Sequence, residues 1–162
     1  MSQVPVDDRT LQVYEPPRNT QFSVFLDNRV GRMLEFLELL ESQSVRTLAL
    51  SVQDSADYAV NRLLVNKPEV VRRVCKEAKI AFAETEVLVV GLTGGKTLVD
   101  LCRMLVQAEV NILYSYSLMV SLRGDAGIVL QTDDLTLTGQ VLKRKMFMLM
   151  GENDLRGIED DE

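Results

Sequence analysis

From Phe22 onward the apolar positions of this chain switch between two periods, and each switch marks an element. Phe22 to Leu26 reads as a strand, and Asp27 to Gly31 as the turn into a helix reaching about Ser42. On that helix Met33, Phe36, Leu37 and Leu40 fall at i, i+3, i+4 and i+7, the spacing that lays one stripe against a sheet. Val45 to Gln53 alternates as a second strand, Asp54 to Asp57 supplies polar turn chemistry, and Tyr58 to Val65 returns as a third. Pro68 suits the first turn of a second helix with Val70, Val71, Val74 and Ala78 inward, and Ile80 to about Glu84 makes a closing strand. The order is βαββαβ.

The same order then repeats. Val87 to Leu92 is a strand, and Leu98, Leu101, Cys102 and Leu105 reproduce the first stripe at a constant offset of 65, with Val110 matching Val45. Beyond the hairpin the offset becomes 67, so that Leu137 and Val141 answer Val70 and Val74. The extra length falls in a turn around Arg123, Gly124 and Asp125. Met146 to Met150 takes the place of a closing strand rather than of a methionine-rich binding surface. The expected organisation is an extended, proline-containing arm over 1–20, one module over 21–84, a second over 85–150 and an acidic tail over 151–162. Thr85 and Glu86 mark a junction with almost no linker. The arm is expected to extend across a neighbour, and the tail to be solvated and mobile, carrying no site.

Composition narrows the chemistry. The net charge of −6 argues against nonspecific nucleic-acid binding, which needs a basic surface. With no histidine, histidine bases, Ser-His triads and histidine metal sites are excluded, and two cysteines cannot build a four-cysteine zinc site. Carboxylate or lysine catalysis stays open, but no spacing recommends it, so the chain is read as not an enzyme and as needing no cofactor. No apolar run approaches the ~20 residues of a membrane span, and the start lacks a secretory pattern, which makes a cytoplasmic location the expectation. Cys75 and Cys102 are then expected to be buried free thiols.

The strand-to-helix turn is the most suggestive chemistry. A helix starting just after Asn28 offers unpaired N–H groups and partial positive charge to an anion. Gly31 lets a ligand approach closely, the Asn28 side-chain oxygen can accept from an α-ammonium, and Arg29 and Arg32 add charge near a carboxylate. The competing reading makes Asn28 a helix cap and sends both arginines into solvent. A decoy lies over 89–98 (VVGLTGGKTL), where Thr93, Gly94, Gly95 and Lys96 resemble a phosphate-binding loop. The P-loop needs four residues between its first glycine and the Gly-Lys pair, and Gly91 leaves one fewer. A simple anion site stays open there.

Residues 22–37 (FSVFLDNRVGRMLEFL), 48–58 (LALSVQDSADY), 62–69 (RLLVNKPE) and 84–88 (ETEVL) resemble an ACT domain, and the chain is similar to stand-alone proteins with two of them, over roughly residues 21 to 150. The resemblance implies an α+β fold of two tandem ferredoxin-like modules with antiparallel sheets side by side, and an amino-acid-binding regulatory protein. It implies a free amino acid at the module interface beside Asn28, Arg29, Val30, Gly31 and Arg32, with Thr47 and Leu48 on the pocket's far side. Homodimerisation is implied as well. A similar small subunit, that of acetolactate synthase, suggests the alternative of a regulatory subunit docked on a metabolic enzyme. Val30 stands where the family usually has proline, and in the second copy Gly95 and Lys96 replace the Pro-Gly step. That second loop, Thr93 to Lys96, is either a different site or a support for the first.

Overall fold

The structure, a computed structural model, describes residues 14–158. The first module contains β1 (Asn19–Asp27), α1 (Arg32–Ser42), β2 (Thr47–Asp54), β3 (Tyr58–Val65), α2 (Pro68–Glu77) and β4 (Phe82–Gly91). The second continues with α3 (Leu98–Gln107), β5 (Ile112–Ser117), β6 (Gly127–Thr132), α4 (Leu135–Arg144), β7 (Met148–Met150) and α5 (Glu152–Arg156). The two expected βαββαβ units are both present, but they share a strand. Val87, Leu88, Val89 and Val90 follow Thr85 and Glu86 with no glycine, proline or turn between, so β4 runs straight through the expected junction. Its first part pairs antiparallel with β1, from Phe82 opposite Val24 to Val87 opposite Asn19. Its last four residues pair with β6 on one edge, and Val89 to Gly91 pair with β7. One antiparallel sheet of seven strands results, ordered β2-β3-β1-β4-β6-β5, with β7 on β4.

The four long helices cover one face of the sheet, giving two cores. Phe22, Val24, Phe36, Leu40, Leu63 and Val71 fill the first, and Leu88, Val90, Leu101, Leu105, Leu130 and Leu142 the second. The period of two sends Val87 and Val89 to the other face, where they meet Leu48, Leu64, Leu122, Val129 and Leu155 in a third cluster. This cluster curls the sheet on itself until its ends touch, with Met119 N–H donating to Leu48 O at 2.8 Å and Ala49 bridged to Leu118.

All four long helices end alike. Ser44, Lys79, Glu109 and Met146 take φ of 56°, 55°, 56° and 63°. The next residue returns its N–H to a carbonyl five positions back, as in Val45 to Leu40 (3.1 Å), Ile80 to Cys75 (2.9 Å), Val110 to Leu105 (2.9 Å) and Phe147 to Leu142 (3.0 Å). These are Schellman stops, and in each pair the second residue is an apolar side chain buried near the helix end. They recur at the same offsets, 65 and 67, that relate the helices in sequence.

Several expectations change. Cys75 is buried, which pushes its thiol up to about 11, but Cys102 is exposed. On α3 the inward stripe is Leu101, Met104 and Leu105, which turns Leu98 and Cys102 outward. Ala78 caps α2 and is exposed, its place inside taken by Cys75. Beyond Ile158 the expected tail lies outside the described residues; as far as Ile158 it is not simply solvated, because Leu155 enters the third cluster at 2% exposure, worth about 2 kcal/mol of burial. Around it, Arg156 grips Glu69 with contacts of 2.8 and 3.1 Å, and Glu152 accepts from Thr20 Oγ1 at 2.7 Å. The arm over 14–18 packs on the chain's own second module, with Pro16 against Gly139 and Arg18 donating to Thr136 Oγ1 at 2.6 Å, while Arg18 also pairs with Glu86 on β4 at 2.7 Å. The remainder of the expected arm lies outside the described residues. Glu109→Gly, which relieves a left-handed non-glycine residue in open solvent, is expected to stabilise the fold by about 0.5–1 kcal/mol, read as a higher urea midpoint with an unchanged slope.

Candidate functional site

The first loop leaves β1 at Asp27 and enters α1 through Gly31, whose φ of 85° only glycine adopts without strain. A Cβ there would meet nothing within 4 Å, so the requirement is conformational and not spatial. Gly31 is itself the N-cap, and no side chain caps α1. The capping reading of Asn28 therefore fails, for its Nδ2 reaches across to Asp54 Oδ1 at 3.0 Å and ties the loop to the end of β2.

Neither arginine simply points into solvent. Arg29 Nε pairs with Asp27 Oδ2 at 3.2 Å, and Arg32 Nε with Asp27 Oδ1 at 2.8 Å, while Arg32 Nη1 also reaches Glu35 at 3.1 Å. The Arg32 guanidinium, with smaller help from Arg29, holds the Asp27 carboxyl below its ordinary value. Asn28, Arg29 and Arg32 share with Asp27 a depression of about 200 Å³, closed by Leu26, Met33, Val52, Ala59 and Asn61. Val30 is fully exposed beside it.

Asn61 is the residue that reading the turn alone missed. It is 1% exposed, and its Nδ2 donates to Val24 O at 3.3 Å and Ala59 O at 3.2 Å. Its Oδ1 is buried with no hydrogen-bond partner. Exchanging the amide's two ends would set an oxygen against two carbonyls, so the orientation follows from the neighbours. The signal was present in β3, where Ala59, Leu63 and Val65 share the alternate positions of the helix-covered face and Asn61 interrupts them.

The rest of the expected site lies elsewhere. Thr47 borders a separate groove of about 600 Å³ between the end of α1 and β2, with Leu37, Glu41, Leu50 and Met119. Leu48 is 0% exposed within the third cluster. The seam between the modules is filled by that cluster, and every residue lining the Asn28 depression belongs to the first module. The depression beside the first loop is thus walled by the first module alone, whereas the Thr47 groove reaches the second module at Met119.

The second loop is built differently. Gly94 and Gly95 take φ of 64° and 76°, Thr93 is half-buried, and Lys96 lies 5.6 Å from the Phe147 ring centre. Lys96 borders a depression of about 270 Å³ with Asp100, Arg103 and Lys145. At the start of α3, however, Thr97 and Asp100 form a capping box, the Thr97 N–H donating to Asp100 Oδ2 at 2.9 Å and the Asp100 N–H to Thr97 Oγ1 at 3.2 Å. The Thr97 N–H holds the Asp100 carboxyl below its ordinary value. The first helix start is free of such a cap; the second supplies its own anion.

Two βαββαβ units joined in one curled antiparallel sheet, each with a loop at its first helix, define the class. The chain belongs to the ACT domain pair family, whose model matches residues 18–158. A crystal structure of a Bacteroides thetaiotaomicron protein is 26% identical with a TM-score of 0.77, covering 88% of this chain and 99% of that one. The ligand-free regulatory subunit of aspartate kinase from Thermus thermophilus is similar in fold at 5% identity and a TM-score of 0.54, over 82% of this chain and 94% of that one. The corresponding Thermus flavus subunit gives 7% and 0.51, over 80% and 93%. Among curated proteins none matches. Gly31→Ala is expected to cost about 1–2 kcal/mol despite the empty space around it, measured as a lowered urea midpoint, because the left-handed backbone is what the loop requires.

Proposed function

We propose that this protein is a regulatory protein whose first loop binds a free amino acid. The observation that carries the reading is the asymmetry between the two helix starts. At α1 no side chain caps the backbone N–H groups, and Asp27, Arg29 and Arg32 set both signs of charge around a small depression. At α3 the same groups are already served by Thr97 and Asp100. A zwitterion matches the first loop, its carboxylate toward the arginines and the helix start, and its ammonium toward Asp27 and the Asn28 and Asp54 oxygens. Such a ligand would replace part of the internal pairing of Asp27 rather than fill a vacant charge.

Regulation follows if the ligand favours one arrangement of the loop over another, since a ligand shifts an equilibrium only through differential affinity. The loop is well placed, because Asn28 links it to Asp54 at the end of the edge strand β2. The second reading, a subunit that docks on a metabolic enzyme, is favoured by a different surface. Leu98, Val99, Cys102 and Val106 form an exposed apolar stripe along α3, with Leu113 exposed on β5. Copurification from the native cell with a much larger enzyme would support it.

Calorimetry of the full chain against each of the twenty amino acids at millimolar concentration tests the first reading. Binding of at least one is expected, weakened about tenfold or more by Arg29→Ala and little changed by Lys96→Ala. Absence of heat and of any thermal shift with every amino acid would sink it.

A further inference from the structure

We infer that the first-loop site selects a small amino acid whose side chain carries a neutral O–H or N–H donor, and that Asn61 Oδ1 is the group that reads it. This rests on the amino-acid reading above and adds the ligand's class.

The site is graded from charged and wet to apolar and dry. Asp27 and Arg29 keep 57% and 62% of their side-chain surface exposed at the rim, whereas Asn61 keeps 1% of its residue surface. The other lining residues, Leu26, Met33 and Ala59 with Val52 at the exposed edge, offer no side-chain hydrogen-bonding group. The one unmet polar demand among the lining side chains is an acceptor, the Asn61 oxygen, whose amide nitrogen is committed to two carbonyls and which is sealed from water, so that a ligand's donor meets it by displacing the apolar side chains over it. An ammonium group placed there would satisfy one N–H and strand the other two among apolar atoms, a heavy cost for a charge. A neutral hydroxyl donates one hydrogen bond with no charge to desolvate, and a carboxamide does the same at the smaller cost of leaving a second N–H and its own oxygen to be met. The zwitterionic end stays at the rim, where charge partners and water both exist. Volume adds the size limit: about 200 Å³ lies below the roughly 300–1,000 Å³ of drug-sized sites and disfavours aromatic side chains. An aliphatic side chain of equal size would leave the oxygen buried and unpaired, which is what makes the discrimination strong.

Threonine and valine have nearly the same shape and differ in the hydroxyl, so their titration into the full chain isolates the claim. Threonine is expected to bind about tenfold or more tightly than valine, with serine over alanine in the same sense. In Asn61→Leu, which keeps the volume and removes the acceptor, the ratio should collapse toward one, with a thermal melt showing that the variant folds. If that variant does not fold, the wild-type ratio still decides. Valine binding as well as threonine overturns the inference and leaves amino-acid binding intact, the orphan oxygen then being unpaired in the liganded protein as well. Failure of all amino acids to bind overturns both.

Discussion

One strand belongs to both modules, and the architecture depends on it. Because β4 pairs with β1 along its first part and with β6 and β7 along its last, the modules cannot rotate about a linker; they are continuous through backbone hydrogen bonds. The pleat of that strand then divides the cores. Leu88 and Val90 point to the helices of the second module, while Val87 and Val89 point to the opposite face. A bare apolar face on an open sheet would invite aggregation, and the chain removes it by curling the sheet over it. A buried polar lock finishes the closure: Gln21, 0% exposed, accepts from the Tyr116 hydroxyl at 2.7 Å and donates to the Tyr114 hydroxyl at 2.8 Å. Arg62 stacks 4.1 Å over the Tyr114 ring, so β1 and β3 of one module are fastened to β5 of the other. Burial pushes the Tyr116 hydroxyl well above its ordinary range, which keeps it a neutral donor to Gln21.

The same strand explains why the two loops do not meet at the seam. The first loop follows Asp27, beyond the end of β1 that pairs with the start of β4; the second follows Gly91, at the other end of β4. Antiparallel pairing therefore sends the two loops to opposite ends of the sheet. Neither loop can lean on the other across the packed third cluster, and the depression beside each is walled by its own module. Asn61, on the strand beside β1, is the near wall that the first loop finds.

What was legible in the sequence had a local or periodic cause. The stripes on α1 and α2 follow from the helical period, the hairpins from polar turns, and the duplication from constant offsets that the Schellman stops repeat in their backbone angles. What was not legible depends on distant partners. Nothing local distinguishes Cys75 from Cys102, since both lie on amphipathic helices and the way α3 packs, with Leu101, Met104 and Leu105 inward, decides which side is buried. The acidic end hides Leu155, whose burial needs the third cluster to exist first. At the site, Asn28, Arg29 and Arg32 do gather, but Asp27 and Asp54 engage them across the loop in a way spacing alone does not specify. Leu48 belongs to the closure of the curled sheet, which a reading of one module in isolation cannot contain.

Duplication gives two copies of one loop, and the two have been settled in opposite ways. Around Thr97 every local device agrees: a hydroxyl acceptor, a carboxylate three residues on, and consecutive left-handed glycines delivering the chain to the helix. Around Gly31 local rules are broken, with a glycine where a capping side chain belongs and a buried asparagine oxygen without a partner beneath. A cap left to glycine destabilises by only a few tenths of a kcal/mol, whereas a stranded acceptor costs about 1 kcal/mol or more. Departures of that kind, gathered within a few residues in one copy and corrected in the other, are expected where a site serves a ligand rather than the fold. The two helix starts thus provide an internal comparison: the same backbone plan, in the same sheet, closed at one end and left open at the other.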